Sequence, residues 1–242
     1  MQTAGHGAAL NLLPVIATLL LLAQPIRLLA QTRVAVTSGV IQTQQHTMRY
    51  ETFGDPSSPA TIIVLHGASG PSIPFYQEQA TFFASHGYLV LFPHYFDATT
   101  DHSPSDANYR AWVQAVTDLL IDQRSSSENN KRHFGLIGMS MGSSVALAAG
   151  SQGLPVQAIA DWYGALPDSF FYNFKSMAPL LILHGEHDRN IPVANAHQLQ
   201  RLCELKDLTC DSHLYPDQDH GFTGAALQDA QQRTLAFFAK HL

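Results

Sequence analysis

The sequence predicts an α/β fold with a doubly wound, mostly parallel sheet, and three observations support this prediction. Short segments rich in β-branched residues alternate with segments whose apolar residues have helical spacing. Several strand segments are apolar throughout, as is typical of parallel strands that are buried on both faces. The connections are long enough for crossover helices, which favour right-handed βαβ units. At 242 residues, the chain is long enough for one such domain.

The first half of the domain combines one half-exposed strand with two buried strands. Residues 47–53 alternate between polar and apolar side chains, which predicts a strand with one exposed face. Residues 61–65, TIIVL, and residues 88–92, YLVLF, are continuous apolar runs of strand length. Residues 74–85 have apolar positions at helical spacing, and the His-Gly pair after them ends the helix. These segments predict a strand, a crossover helix and a parallel strand.

The second half repeats the same alternation to the end of the chain. Its strands are again largely apolar, and its helices again show apolar residues three and four positions apart. Four further strands are predicted at residues 133–138, 157–163, 179–185 and 211–215. Four further helices are predicted at residues 109–122, 142–149, 193–202 and 226–241. In such sheets ligands bind beyond the carboxyl ends of the strands, so we expect the functional residues in the loops at that edge.

The composition excludes two classes of protein. Only 13% of the residues are charged and the formal net charge is −6, so the chain lacks the basic surface that nucleic acids require. The hydrophobic content of 45% is sufficient to bury a core, which excludes a disordered chain. We therefore expect a weakly charged globular protein with no nucleic-acid partner.

The first thirty residues predict a signal peptide. Residues 10–23 form an apolar run of signal-peptide length, whereas a membrane-spanning helix needs about 20 apolar residues. Two cleavage points are plausible, after Ala23 or after Ala30, leaving one domain at residues 31–242. The alternatives are an uncleaved anchor, the one case in which we expect membrane contact, and a buried N-terminal helix. We expect an exported protein, either secreted or periplasmic.

The two cysteines fit export. Cys203 and Cys210 flank a predicted helix end, turn and strand start, so a small closed loop can bring them within bridging distance. In an oxidising compartment we expect a disulfide between them, which stabilises by about 2 to 3 kcal/mol for a short loop. The alternative is two free buried thiols.

One motif contains a candidate nucleophile. Gly138, Ser140 and Gly142 form a G-x-S-x-G directly after a buried strand and before a predicted helix. A sharp strand-to-helix turn leaves room only for glycine at the flanking positions and lifts the serine Oγ above the sheet. The N-terminus of the following helix favours the negative charge of a tetrahedral intermediate. The alternative is a glycine-rich helix start with an incidental serine.

The acid that orients the catalytic base is expected in the loop after residues 179–185. A serine hydroxyl needs a general base, and where such a turn occurs the chain order is serine, acid, histidine. Asp188 follows the strand in a turn of HGxxD form, which directs its side chain back over the sheet. Glu186 is the competing candidate, and a surface salt bridge is the alternative role for either carboxylate.

The base is predicted from position, because a chain with 13 histidines contains many candidates. His220 follows the last predicted strand and precedes the last helix, where a base can reach a serine at the sheet centre. Gly221 after it permits a tight turn. His213 within a strand, and His197 and His241 on helices, fit structural or surface roles.

Two backbone N–H groups are expected to bind the oxyanion. One is that of Met141, directly after the nucleophile. The other is that of Ala68 in the loop His66-Gly-Ala-Ser-Gly70, where glycines let the backbone turn inward, and His66 has a candidate role in ordering this loop. The alternative is that this loop is an ordinary strand-to-helix connection.

Four motifs in this order, HGASG, GMSMGS, LHGEHD and YPDQDHGF, resemble those of the dienelactone hydrolase-like branch of the α/β-hydrolase superfamily. The resemblance covers residues 47–242. It implies an α/β-hydrolase fold and hydrolysis of esters or lactones by a triad through an acyl-enzyme. The family's nucleophile is a cysteine, and Ser140 at that position makes the chain similar to esterase-like members. The arginines with which the family binds a substrate carboxylate are missing from PHYFDATTDH and GFTGAA, so a dicarboxylate lactone is not expected.

The segments that can cover the site are short and predict a minimal cap. Residues 93–108 and 164–178 are too short for a multi-helix lid. The candidate pocket residues in them and beside them are His66, His94, Tyr95, Phe170 and Phe171. Equally, the phenylalanines can pack a short helix onto the sheet.

The expected function is hydrolysis of small esters or lactones. No cofactor is expected because a triad is self-sufficient, and no metal is expected because no cluster has ligand spacing. Two alternatives remain: a non-catalytic binding protein on the same fold, and a peptidase or acyltransferase on that fold.

Overall fold

The computed structural model describes residues 1–2, 34–125 and 131–242. Almost all of the predicted signal peptide of residues 1–30, with both predicted cleavage points, lies outside the described residues. In the part of the chain that is described, no helix is both long enough and apolar enough to cross a bilayer.

The described residues contain one sheet of eight strands in the order β1-β2-β4-β3-β5-β6-β7-β8. The neighbouring pairs from β4 to β8 are parallel, and the pairs β1–β2 and β2–β4 are antiparallel. The strands are β1 (Val36–Gln42), β2 (Thr47–Phe53), β3 (Ala60–Leu65), β4 (Leu89–Pro93), β5 (His133–Met139), β6 (Ala158–Trp162), β7 (Leu180–Gly185) and β8 (Cys210–Tyr215). The predicted mostly parallel sheet is confirmed.

Helices cover both faces of the sheet. They are α1 (Pro74–Ser85), α2 (Asp106–Ser125), α3 (Met141–Ser151), α4 (Asp168–Tyr172), α5 (Ala194–Lys206) and α6 (Gly224–His241), with a 3-10 turn at Tyr95–Ala98. Buried side chains of α1 and α6 pack on one face, and those of α2, α3 and α5 pack on the other. The arrangement is doubly wound, as predicted.

Most positions of the central strands are apolar because each strand contributes to two cores. In β3, Ile62 and Val64 belong to the core under α1 and α6, whereas Ile63 and Leu65 belong to the opposite core. All four side chains are fully buried. Successive side chains of a strand point to opposite faces, so a strand with helices on both faces has few positions that water can reach.

The sequence pattern does not predict β1, the antiparallel strand at the sheet edge. It pairs with β2 along its whole length, from Val36 opposite Phe53 to Gln42 opposite Thr47. Within β1 only Ile41 is buried. An edge strand is held by its ladder of hydrogen bonds more than by burial, so it lacks the apolar period that marks the other strands.

A disulfide joins Cys203 near the end of α5 to Cys210 at the start of β8, the pair that the spacing predicted. Their Cα atoms are 6.2 Å apart. Asp207 ends the helix in the left-handed conformation, with a φ of 52°, and Leu208 donates its N–H to the Cys203 carbonyl at 2.9 Å. This tight reversal brings the two cysteines together.

Candidate active site

Ser140 lies on a sharp turn between β5 and α3. Its φ of 57° and ψ of −122° are rare for a residue with a side chain, and the strain is held by the structure around it. Its N–H donates to the carbonyl of Trp162 at 3.0 Å, which ties the turn to the neighbouring strand β6. The turn lies at the carboxyl edge of the sheet, where ligands bind in folds of this type.

The two glycines of the motif are required by close backbone contacts. A Cβ atom on Gly138 would lie well within 3.0 Å of the backbone of Gly142, and one on Gly142 would lie equally close to the carbonyls of Leu65 and His66. Backbone atoms cannot move aside as the end of a side chain can. The approach of α3 to the end of β3 therefore depends on glycine at both positions.

A continuous chain of hydrogen bonds links the three predicted triad residues. The hydroxyl of Ser140 lies 2.7 Å from Nε2 of His220. The other ring nitrogen of His220, Nδ1, lies 2.8 Å from Oδ2 of Asp188. An ionised carboxylate can only accept, so Nδ1 carries the proton and Nε2 is free to accept the serine proton. The arrangement is that of a nucleophile, a base and an orienting acid.

The loop after β7 holds the carboxylate of Asp188 in place. The side chain is fully buried, and Oδ1 accepts the N–H groups of Asn190 and Ile191 at 2.9 and 2.8 Å. Oδ2 is thereby directed at His220. Glu186, the competing candidate from the sequence, is exposed. Its backbone N–H donates to the carbonyl oxygen of Tyr215. The geometry favours Asp188 as the acid.

The two backbone N–H groups predicted for the oxyanion lie at the same edge of the sheet. Met141 is the first residue of α3, where N–H groups have no acceptor within the helix. Ala68 lies in the loop after β3 and lines the cavity that contains Ser140. Within the described residues, neither N–H has a hydrogen-bond acceptor. Both are therefore available to an oxygen atom of a ligand.

The cavity above Ser140 has a volume of about 480 Å³. It is open to solvent on one side and has the size of a small-molecule site. Among the described residues that line it, His220 is the only histidine. The lining residues are Ala68, Ser69, Phe75, Tyr76, Ser140, Tyr163, Asn190, Ile191, His220, Gly221, Phe222 and Thr223.

None of the five residues predicted for the pocket lines this cavity. His66 and Tyr95 are fully buried, their rings stack 4.3 Å apart, and the Tyr95 hydroxyl donates to the His66 carbonyl at 2.7 Å. Burial lowers the pKa of His66 to about 4, so the ring is neutral. His94 lies outside this stack, with Nε2 3.5 Å from a carboxylate oxygen of Glu51. The stacked pair His66 and Tyr95 packs beneath the loop after β3.

The two phenylalanines belong to α4, on the outside of the sheet. Phe170 is buried in the core that includes α3, with the guanidinium of Arg110 5.5 Å above its ring, and Phe171 packs against the same core. Their role is the packing of a short helix, which was the alternative left open by the sequence. The predicted aromatic wall of the pocket is therefore wrong in its residues.

The aromatic wall that the cavity does have comes from other elements. Phe75 and Tyr76 belong to the first turn of α1, Tyr163 follows β6 and Phe222 precedes α6. Tyr163 has a φ of 48°, and its ring meets the His220 ring edge-to-face at 5.2 Å. A tyrosine between the end of a strand and a glycine was the one sequence signal for this wall.

An ion pair at the surface connects the loop of the acid with the loop of the base. The guanidinium of Arg189 donates to the carboxylate of Asp219. The backbone N–H of Arg189 donates to the same carboxylate at 3.0 Å. Asp219 also accepts the N–H of His220 at 2.8 Å. Hydrogen bonding to Arg189 lowers the pKa of Asp219 to about 2. Both triad loops are thus joined beside the cavity.

Within the described residues, no group of three or more His, Cys, Asp and Glu side chains is arranged to hold a metal ion.

Comparison with known proteins gives a consistent family. A model of the Dienelactone hydrolase family matches residues 52–242. A carboxymethylenebutenolidase homologue from Xenopus tropicalis is 21% identical over 204 residues, which cover 80% of this chain and 82% of that protein. A protein from Methylorubrum extorquens is 27% identical over 122 residues, and this match spans 46% of the chain and 42% of that protein's length.

Solved structures share the fold at low sequence identity. A dienelactone hydrolase from Anabaena variabilis superposes with a TM-score of 0.69 at 19% identity, over 86% of this chain and 99% of that one. An esterase from Pyrococcus furiosus superposes with a TM-score of 0.70 at 16% identity, over 86% of this chain and 92% of that one. The fold is that of the α/β-hydrolases, as the sequence predicted.

Proposed function

Because this chain belongs to the dienelactone hydrolase family, we propose that it is a serine hydrolase of small, uncharged carboxylic esters or lactones. The observation that carries the proposal is the unbroken hydrogen-bond chain from Ser140 through His220 to Asp188. The serine lies on a strained turn beneath an open cavity, where a substrate carbonyl can reach it.

The reaction follows from these contacts. Oγ of Ser140 attacks the carbonyl carbon while its proton passes to Nε2 of His220, and Asp188 stabilises the resulting imidazolium. The N–H groups of Met141 and Ala68 bind the oxyanion of the tetrahedral intermediate. When the intermediate collapses, His220 returns the proton to the leaving alkoxide and an acyl-enzyme remains. A water molecule then attacks the acyl-enzyme with His220 as base, and the carboxylic acid is released.

The composition of the cavity wall supports uncharged substrates. Phe75, Tyr76, Ile191 and Phe222 provide apolar surface, and no lysine or arginine lies among the lining residues. A substrate carboxylate would lose its water shell there without gaining a cationic partner, which is unfavourable. The volume of about 480 Å³ suits an ester of a few to about a dozen heavy atoms.

The test is hydrolysis of p-nitrophenyl acetate by the wild-type protein and by Ser140→Ala. We expect a fall in kcat of about 10⁴-fold or more, because the variant lacks the nucleophile. A fluorophosphonate probe should label the wild type and not the variant, since an unactivated serine does not react. Equal turnover by the two proteins would contradict the triad, and turnover of neither with no labelling would indicate a non-catalytic binding protein.

We also propose that the protein is exported after removal of an N-terminal signal peptide. The apolar run at residues 10–23 and the disulfide between Cys203 and Cys210 support this, because disulfides persist mainly in oxidising compartments. Mass spectrometry of the protein recovered from its native host, without reduction, should find a first residue near 24 or 31 and no free thiol. An intact N-terminus in the cytosolic fraction would contradict export.

A further inference from the structure

Two fully buried polar side chains lie behind the candidate triad and have no role in the reaction described above. They are Asp161 on β6 and His184 on β7. In the parallel pairing of these strands Asp161 is opposite Ile182, so His184, two residues further on, lies on the same face, diagonal to Asp161. Burying a carboxyl group and an imidazole is costly unless each has hydrogen-bond partners, so their contacts require an explanation.

One nitrogen of His184 is directed at the acid of the triad. Nε2 lies 2.8 Å from the carbonyl oxygen of Ile191 and 3.4 Å from Oδ2 of Asp188. Both oxygens are acceptors, so Nε2 carries a hydrogen. The peptide N–H of Ile191 in turn donates to Oδ1 of Asp188 at 2.8 Å. His184 therefore holds the loop closed around the carboxylate and presents an N–H to the same oxygen that binds His220.

The other nitrogen of His184 matches an unused oxygen of Asp161. Oδ1 of Asp161 accepts the hydroxyl of Ser143 and the N–H of Gly164, the latter at 2.9 Å. Within the described residues, Oδ2 of Asp161 and Nδ1 of His184 have no hydrogen-bond partner, although both atoms are buried. Burial raises the pKa of Asp161, which favours its protonated form. A protonated Oδ2 is the donor that a free Nδ1 requires.

On the basis of the proposed function, we propose that His184 is a positioning residue that holds Asp188 through Nε2–H and is itself oriented by Asp161 through Nδ1. The contact between Oδ2–H and Nδ1 passes through one bridging water molecule. The resulting chain runs from Ser143, on the helix that follows the nucleophile, through Asp161 and His184 to Asp188. The titratable groups that face His184 are Asp161 from β6 and Asp188 from the following loop.

The first experiment compares His184→Leu with His184→Gln. The amide nitrogen of glutamine is as many bonds from the Cα atom as Nε2 of histidine, so His184→Gln keeps a donor that His184→Leu lacks. For His184→Leu we expect kcat for p-nitrophenyl acetate to fall about 10- to 100-fold, with KM within about twofold, because the triad is misplaced and the cavity is not. His184→Gln should recover most of the lost kcat.

The pH profile separates positioning from a merely structural role. Loss of the N–H on Asp188 leaves its carboxylate more able to stabilise the His220 imidazolium, so the acidic limb of kcat/KM should move to higher pH in His184→Leu. His184→Gln should keep the wild-type limb. The exposed histidine variant His197→Leu serves as the control and should match the wild type in both measurements.

The proton on Asp161 is tested by Asp161→Asn. Asparagine keeps the oxygen that accepts from Ser143 and Gly164, and its NH₂ group replaces the proposed Oδ2–H as donor to His184. We expect kcat within about threefold of the wild type, since a neutral donor replaces a neutral donor. A loss above tenfold would overturn the assigned proton.

The positioning role itself is overturned if folded His184→Leu keeps the wild-type kcat and pH profile, or if His184→Leu and His184→Gln lose activity equally. Circular dichroism and stoichiometric labelling of Ser140 by a fluorophosphonate establish that each variant is folded. The proposed function fails separately, through an active Ser140→Ala or an unlabelled wild type.

Discussion

The loops that carry the candidate triad and the wall of the cavity are built by different means. Ser140 and Asp188 are both fixed by the backbone. Ser140 is held by a strained φ and by two positions at which only glycine fits. Asp188 is held by two backbone N–H donors. The wall is fixed by packing of side chains from α1, the end of β6 and the start of α6. Local geometry therefore determines the chemistry, and tertiary packing determines what fits above it.

After loss of the nucleophile itself, the largest effect should come from the carboxylate that orients the base. In Asp188→Asn an amide replaces the carboxylate that accepts from Nδ1 of His220, so the ring loses its orientation and the stabilisation of its positive charge. We expect kcat for p-nitrophenyl acetate to fall about 10³- to 10⁴-fold with little change in KM.

Glu186→Gln is the matched control, because it makes the same chemical change two residues away on an exposed side chain. Steady-state kinetics should find it within about twofold of the wild type, as expected for a surface carboxylate. If the two variants exchanged their effects, Glu186 would be the acid.

The next effect concerns the backbone of the nucleophile turn. Gly142→Ala places a Cβ against the carbonyls of Leu65 and His66, which cannot move without separating α3 from β3. We expect a loss of about 3 kcal/mol or more in the free energy of unfolding, measured by urea denaturation, together with loss of turnover.

Gly87→Ala is the comparison for this variant, since Gly87 has a φ of 92° and open space around its Cα atom. It should lose about 1 kcal/mol from conformational strain alone and keep its activity. Equal destabilisation of the two variants would show that the contact with β3 is unimportant.

The same division explains what the sequence could predict. Seven of the eight strands that the structure describes, and the turn at Ser140, follow from local patterns, because apolar periods and glycine spacing are local properties. The cavity wall could not be predicted in this way, since Phe75 and Phe222 are about 150 residues apart in sequence. They line the same cavity only in the folded protein. Phe170 and Phe171 are aromatic and lie in a loop region that can cover the site, but their helix packs against the core formed with α2, α3 and α5.

A third prediction tests that assignment of the aromatic residues. Phe75→Ala removes part of the cavity wall from a partly exposed position, so kcat/KM for an aryl ester should fall about tenfold with little change in Tm. Phe170→Ala removes a buried core ring, which should cost about 3 to 5 kcal/mol of stability and leave kcat/KM of the folded protein unchanged.

Thermal denaturation and kinetics on the two variants provide the measurement. The reverse outcome, with Phe170→Ala altering ester preference and Phe75→Ala only stability, would restore the wall that the sequence predicted.

The smallest effect should come from the exposed ion pair between the two triad loops. Asp219→Asn keeps an oxygen that accepts the N–H of His220, and it removes the charge and the second acceptor oxygen that bind the Arg189 guanidinium. Because the Arg189 side chain is 85% exposed and that of Asp219 is 39% exposed, we expect kcat/KM to fall by no more than about threefold. The difference from the wild type should shrink in 1 M salt.

The pH dependence of the pair follows from the direction of the pKa shift. The pKa of Asp219 is lowered from 3.8 to about 2 by Arg189, so its contribution to stability is present above the ordinary carboxylate pKa and is lost as the pH falls toward 2. The free energies of unfolding of the wild type and Asp219→Asn, measured by urea denaturation, should therefore differ at pH 6 and converge near pH 2. If Asp219→Asn instead lowered kcat/KM more than about 30-fold, Asp219 would take part in catalysis. The triad would then not be held by the backbone alone.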